Sequence, residues 1–201
     1  MKSKLALATA FILSLSLFSF VPKDKIGNCF ISFKGSTTLT AQVPDRLPET
    51  SEQVMHLETT KGDVEITRID GYRILYNNDK KAPFVNLKVE LSKANSYGND
   101  TIGLIENLRY LNSVSQPMET KDLMELEFNG YKIYGLSRSS IERGNTLATF
   151  IMFPGNSITV YFYFNNIKPE YSNFSNLKDF KRQRDKFIDD YTRYLKECKE
   201  K

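Results

Sequence analysis

The sequence predicts an α+β fold in which an antiparallel sheet (hairpin, strand, helix, four-strand meander) packs with a long C-terminal helix. Three observations predict it. Segments in which apolar and polar residues alternate recur through the middle of the chain, as half-buried strands require. Turn-forming pairs rich in Gly, Asn and Asp separate them, supplying the positive φ that tight hairpins need. Residues 175–200 instead place Leu177, Phe180, Phe187, Ile188, Tyr191, Leu195 and Cys198 on one helical face, with Lys, Arg and Asp on the other.

The elements follow in chain order. Residues 63–68 alternate Val64 and Ile66 with polar neighbours, Asp70-Gly71 offers a turn, and residues 72–76 resume, which reads as a hairpin. Residues 85–91 alternate without exception, so Val85, Leu87, Val89 and Leu91 are expected on a core, and Asn86, Lys88 and Glu90 on water. Asn99 or Asp100 is placed to cap a helix to about Val114, with Ile102, Ile105, Leu108 and Leu111 recurring and Leu104 widening the face. Four strands then follow at 123–128, 131–137, 146–153 and 157–165, joined at Asn129-Gly130, Arg143-Gly144-Asn145 and Pro154-Gly155-Asn156. The last strand, Val160-Tyr161-Phe162-Tyr163-Phe164, is apolar on both faces and calls for a layer on each side.

Ahead of this domain, Lys2 and Lys4 precede an unbroken apolar run over residues 5–21. A cationic start and an apolar run are the pattern of a secretory signal or an N-terminal anchor. As a helix the run would be about 25 Å long, a little short of the ~30 Å hydrocarbon core. Leu39-Thr40-Ala41-Gln42 resembles the cleavage junctions of exported proteins of Bacteroidetes type. The organisation expected is a signal peptide or anchor with spacer over 1–41, a flexible Thr/Pro/Glu-rich arm over 42–53, and one α+β domain over 54–201. Cys29 and Cys198 would form a disulfide if the leader is retained. Cleavage after Ala41 would leave Cys198 as a small apolar residue on the helical stripe.

The whole chain carries a net charge of +4, from 28 basic and 24 acidic side chains. Residues 1–41 hold five lysines against one aspartate, so the remainder is formally neutral. A domain without surplus cations is a poor match for phosphate backbones, which excludes nucleic acid as a partner. Membrane contact is expected only through the N-terminal segment.

Catalytic sets are missing from the sequence. His56 is the one histidine, too few for a metal site or for paired nucleophile and base, and no glycine spacing would cradle phosphate. No catalytic residue, cofactor or metal is therefore expected. Glu125 and Glu127 share one strand face, with Glu142 nearby, and two carboxylates suffice for glycoside hydrolysis. Asn99-Asp100-Thr101 and Asn173-Phe174-Ser175 fit glycan acceptor patterns, though capping also explains the first. The longest polar connection in the meander, residues 138–145, marks Arg138, Ser139, Ser140, Glu142, Arg143 and Asn145 as a contact loop.

The element order, the segment Phe128-Asn129-Gly130-Tyr131-Lys132-Ile133-Tyr134-Gly135 and the final helix resemble the Mog1/PsbP/DcrB superfold over residues 63–199. That resemblance implies an accessory or binding role and supplies no catalytic motif. The function expected first is an exported, non-catalytic accessory or partner-binding protein of the cell envelope, with a protein partner there. A periplasmic immunity or inhibitor protein and a carboxylate-dependent hydrolase of envelope carbohydrate are the alternatives.

Overall fold

The computed structural model describes residues 26–36, 39–47, 52–77, 85–114, 119–140, 145–166 and 177–199. The apolar run over 5–21, the Asn173 triplet, Glu142 and Arg143 lie outside them. Among the described residues no helix is long and apolar enough to cross a membrane.

Among the described residues ten strands form one sheet. They are β1 (Gly35–Ser36), β2 (Leu39–Ala41), β3 (Asp45–Arg46), β4 (Gln53–Leu57), β5 (Val64–Asn77), β6 (Val85–Ser92), β7 (Glu119–Phe128), β8 (Tyr131–Ser140), β9 (Asn145–Gly155) and β10 (Ile158–Asn166). Helix α1 (Tyr97–Ser113) links β6 to β7, and α2 (Leu177–Lys199) closes the described chain. The long strands run in the order β5-β6-β10-β9-β8-β7, every pairing antiparallel, with β2, β3 and β4 docked in turn on the outer edge of β5. The four-strand meander is present as expected, and its first turn holds Asn129 and Gly130 at φ 53° and 85°, the positive values that a two-residue hairpin demands.

The doubly apolar β10 is covered twice. On one face Val160, Phe162 and Phe164 pack with Val85, Leu87 and Val89 beneath Phe180, Phe187, Ile188, Tyr191 and Leu195 of α2, all buried. Aromatic edges meet ring faces there: Phe162 and Tyr191 lie 5.4 Å apart, Tyr76 and Phe187 5.0 Å. On the other face Tyr161 joins Ile66, Leu104, Leu108, Leu136 and Ile151 in a second, smaller core under α1. Helix α1 touches β4 and β5 on one flank and β7 and β8 on the other. Those strands lie toward opposite edges, so the sheet curls around the helix.

Several expectations are corrected. Residues 64–77 form one strand rather than two: Asp70-Gly71 is a bulge, where the register with β6 shifts between Arg68 and Asp70. The continuous β6 keeps both halves of β5 paired, and the hairpin that opens the domain is instead β4 with β5. Asp70 receives the guanidinium of Arg46 through both carboxylate oxygens at 3.2 and 3.0 Å, and Arg73 bonds Asp45. These pairs dock part of the segment expected as a flexible arm.

The spacer expected up to Ala41 is likewise built into the core in its described part. Ile26, Phe30, Phe33 and Leu39 are buried, and the Tyr191 and Tyr76 hydroxyls donate to the Phe30 and Phe33 carbonyls at 2.9 and 2.8 Å. Cys29 is bonded to Cys198 across 169 residues of chain. The helical stripe of Cys198 thus ends in a crosslink rather than a free thiol.

Gly135 shows how closely the layers fit. A Cβ there would lie 2.2 Å from Phe150 Cε1, on a fully buried ring that also holds the Arg184 guanidinium 5.0 Å from its centroid. Arg184 is itself 4% exposed, so the ring has nowhere to retreat. Gly135→Ala is expected to cost about 1–3 kcal/mol by overpacking, read as a lower urea midpoint with an unchanged slope.

Candidate functional site

Under the N-terminal half of α1 the sheet buries a group of ionised side chains. Arg68 of β5 sits 3% exposed. Its Nε donates to Glu90 Oε2 at 2.7 Å, and Nη1 to Ser92 Oγ at 2.7 Å and Asp100 Oδ2 at 2.8 Å. Nη2 donates to the Tyr161 hydroxyl at 2.6 Å. Lys88 Nζ lies 2.5 Å from the other Glu90 oxygen and 5.8 Å from the Tyr161 ring centroid.

Strand register builds this arrangement. Arg68 pairs with Ser92, Thr159 with Glu90 and Tyr161 with Lys88. Helix α1 then lowers Asp100 onto it. The helix begins at Tyr97, and neither Asn99 nor Asp100 caps it: Asp100 sits in the first turn, 1% exposed, accepting from Arg68 and from Ser96 Oγ. Glu90, expected in water, is also 1% exposed. Two cations and two carboxylates therefore balance.

Burial opposes the charge on Arg68, but Tyr161 and Glu90 outweigh it and hold the guanidinium ionised above its ordinary range. Burial pushes the Tyr161 hydroxyl well up, so it stays protonated. The cluster is closed to solvent at Arg68 and Asp100, 3% and 1% exposed, while Lys88, Glu90 and Tyr161 also border an adjoining cleft. It fixes α1 at a set height over the sheet, helped by Tyr97, whose hydroxyl donates to the Ile158 carbonyl at 2.8 Å. At the other end of α1, Lys121 Nζ donates to the Leu111 carbonyl at 2.7 Å.

Where Gly103 approaches β5, a Cβ would lie 2.9 Å from Val64. That close approach turns Leu104 and Leu108 inward and leaves Ile102, expected on the apolar face, 61% exposed. Between this flank of α1 and the sheet lies a cleft of about 240 Å³. Leu104, Leu108 and Leu111 form its helical wall, Met55, Leu57 and Ile66 its outer wall, and Thr149, Ile151, Tyr161 and Tyr163 its floor. Burial, aided by Glu90, pushes the Tyr163 hydroxyl up to about 12, so at neutral pH it is a proton donor.

Among the described residues three charged side chains line the cleft: Lys88, Glu90 and Arg138. Lys88 and Glu90 satisfy each other. The side chain of Arg138, half-buried, has no hydrogen bond or ion pair among the described residues.

The contact loop expected over 138–145 is shorter than its sequence implied. Ser139 pairs with Thr146 and Ser140 with Asn145, so Arg138, Ser139 and Ser140 are strand residues and Asn145 opens β9. Arg138 is the member that reaches the cleft. Glu125 and Glu127 are exposed on β7. Glu125 lines a different depression, of about 160 Å³, on the far flank of α1. His56 is exposed on β4, 3.4 Å from Glu65. Among the described residues no three His, Cys, Asp or Glu side chains are grouped to hold a metal ion.

The chain matches no protein-family model, no curated protein and no solved structure. The residues that sequence reasoning missed, Arg68, Glu90 and Asp100 in the ion cluster and Lys88 beside them, had one signal available. Because β10 calls for cover on both faces, the polar face of a neighbouring strand such as β6 is covered too.

Proposed function

We propose that this chain is an exported, non-catalytic accessory or partner-binding protein of the cell envelope, with recognition on the sheet face that carries α1. The observation that carries the reading is the cleft beside α1, an apolar hollow with one guanidinium in its wall that is unpaired among the described residues, flanked by a buried ion cluster. A preformed concave site with few, placed polar groups is the usual form of a binding site. Glu125 stands on the other flank of the helix, which favours binding over carbohydrate hydrolysis.

Export is supported by the Cys29–Cys198 crosslink, since such bonds persist in oxidising compartments. The crosslinked arm also bears on where a leader would be removed. Cleavage after Ala41 would take Ile26, Phe30, Phe33 and Cys29 out of a packed core, so we place the mature start upstream of Ile26. Helices on both faces of an antiparallel sheet support membership of the Mog1/PsbP/DcrB superfold.

Capture of the tagged full chain from its native envelope fraction tests the proposal, with mass spectrometry of the N-terminus and of thiol oxidation in the same sample. The expected result is an oxidised protein starting before Ile26, recovered with a bound partner or ligand. A reduced chain confined to the cytoplasm, or turnover of a bound substrate, would overturn the reading.

A further inference from the structure

We infer that the cleft between α1 and the sheet is a site for a free, small amphipathic carboxylate whose apolar part lies along Leu104, Leu108 and Ile151 and whose carboxylate meets Arg138. The inference deepens the proposed function and rests on it in one respect, that the cleft is a recognition site rather than an active site.

Charge decides the polar end of the ligand. Of the ionised groups lining the cleft, Lys88 and Glu90 neutralise each other at 2.5 Å, and the Arg138 guanidinium is left over. A half-buried cation beside apolar walls is costly without a counter-charge. A guanidinium presents a planar fork that matches a carboxylate in two parallel hydrogen bonds. One surplus positive charge calls for one negative charge, which fits a carboxylate better than a phosphate dianion. The Tyr163 hydroxyl on the floor stays protonated and adds a neutral donor.

Volume decides the rest. A cavity of 150 Å³ holds benzene, so by the same scaling 240 Å³ holds roughly ten non-hydrogen atoms. That is the size of a medium-chain or aromatic acid, and too small for a folded partner or a peptide of several residues. Leucines of α1 supply the wall, and α1 is tied at both ends, by Asp100 to Arg68 and by its Leu111 carbonyl to Lys121. The site is therefore preformed, which spares the ligand the cost of ordering it.

The test is calorimetric titration of the oxidised full chain with octanoate, which has the expected size, and with octanol as its uncharged counterpart. Octanoate is expected to bind saturably and more tightly than octanol. Arg138→Gln should weaken octanoate by about ten- to a hundredfold, the range of a charge-assisted hydrogen-bonded pair, and leave octanol unchanged. Thr149→Phe, which fills the floor of the cleft, should abolish both. Absence of saturable octanoate binding, equal affinity for octanol, or binding unaffected by Arg138→Gln or by Thr149→Phe would each overturn the inference. If octanoate fails while the tagged chain still captures a partner from the envelope, the ligand class is wrong and the binding role stands; hydrolysis or other turnover of bound material would remove the binding role itself.

Discussion

Arg68→Met is expected to destabilise the protein by about 3–5 kcal/mol, because it leaves Glu90 and Asp100 buried without their shared cation. For a chain of this size that corresponds to a fall in Tm of about 6–20 °C, measurable by circular dichroism. Arg68→Lys should rescue little. An ammonium cannot span Glu90, Ser92, Asp100 and Tyr161, which Arg68 reaches from three different nitrogens.

A double-mutant cycle separates this mechanism from simple loss of packing. Asp100→Asn removes one of the stranded charges, so Arg68→Met combined with Asp100→Asn should cost less than the sum of the two single changes, by at least about 0.5 kcal/mol. Strict additivity would show that Arg68 and Asp100 act independently, contrary to their 2.8 Å contact. The same variants should weaken ligand binding in the cleft, since the Arg68–Asp100 pair positions α1 and neither residue lines the cleft.

Breaking the Cys29–Cys198 bond should have a comparable effect by a different route. Its ends are 169 residues apart, and closing so long a loop restricts the unfolded chain strongly, which places the expected loss at the upper end of the 2–5 kcal/mol range, about 4–5 kcal/mol. On reduction, or in Cys29→Ala/Cys198→Ala, Tm should fall by on the order of 10 °C. Cooperative unfolding should survive, because Ile26, Phe30 and Phe33 remain buried and each contributes about 1.5–3 kcal/mol.

Removing residues 1–41 should be far more damaging than removing the bond. It would uncover the ring of Tyr191, which Phe33 meets edge-on at 5.4 Å, and the fully buried Tyr76, which bonds the Phe33 carbonyl. An unchanged Tm after full reduction would mean that the bond does not restrain the unfolded chain; a stable truncated domain would mean that the N-terminal arm is dispensable and would restore cleavage after Ala41.

The meander was readable because its signals are local. Asn129-Gly130 demands positive φ whatever surrounds it, and the alternation on either side has only to match its neighbours. Helix α2 was readable for the same reason, since one apolar stripe needs one surface to cover it. Asp70-Gly71 misled because the pair suits a bulge as well as a turn, and only the unbroken β6 alongside selects the bulge. Asp100 misled similarly: a carboxylate near a helix start serves as a cap until a buried arginine claims it.

The site was less accessible to sequence reasoning than the fold. Tyr161 and Tyr163 were visible as an aromatic face and Arg138 as a polar residue near a turn, but nothing local joined them. The period of a segment and the sign of φ at a turn are written in adjacent residues, and they settle the α+β class and the order of elements from residue 85 to the final helix. Arg68 meets Tyr161 across 93 residues and Cys29 meets Cys198 across 169. Those meetings depend on how a curled sheet and two helices share space, so the buried charges, the crosslinked arm and the cleft are consequences of tertiary packing.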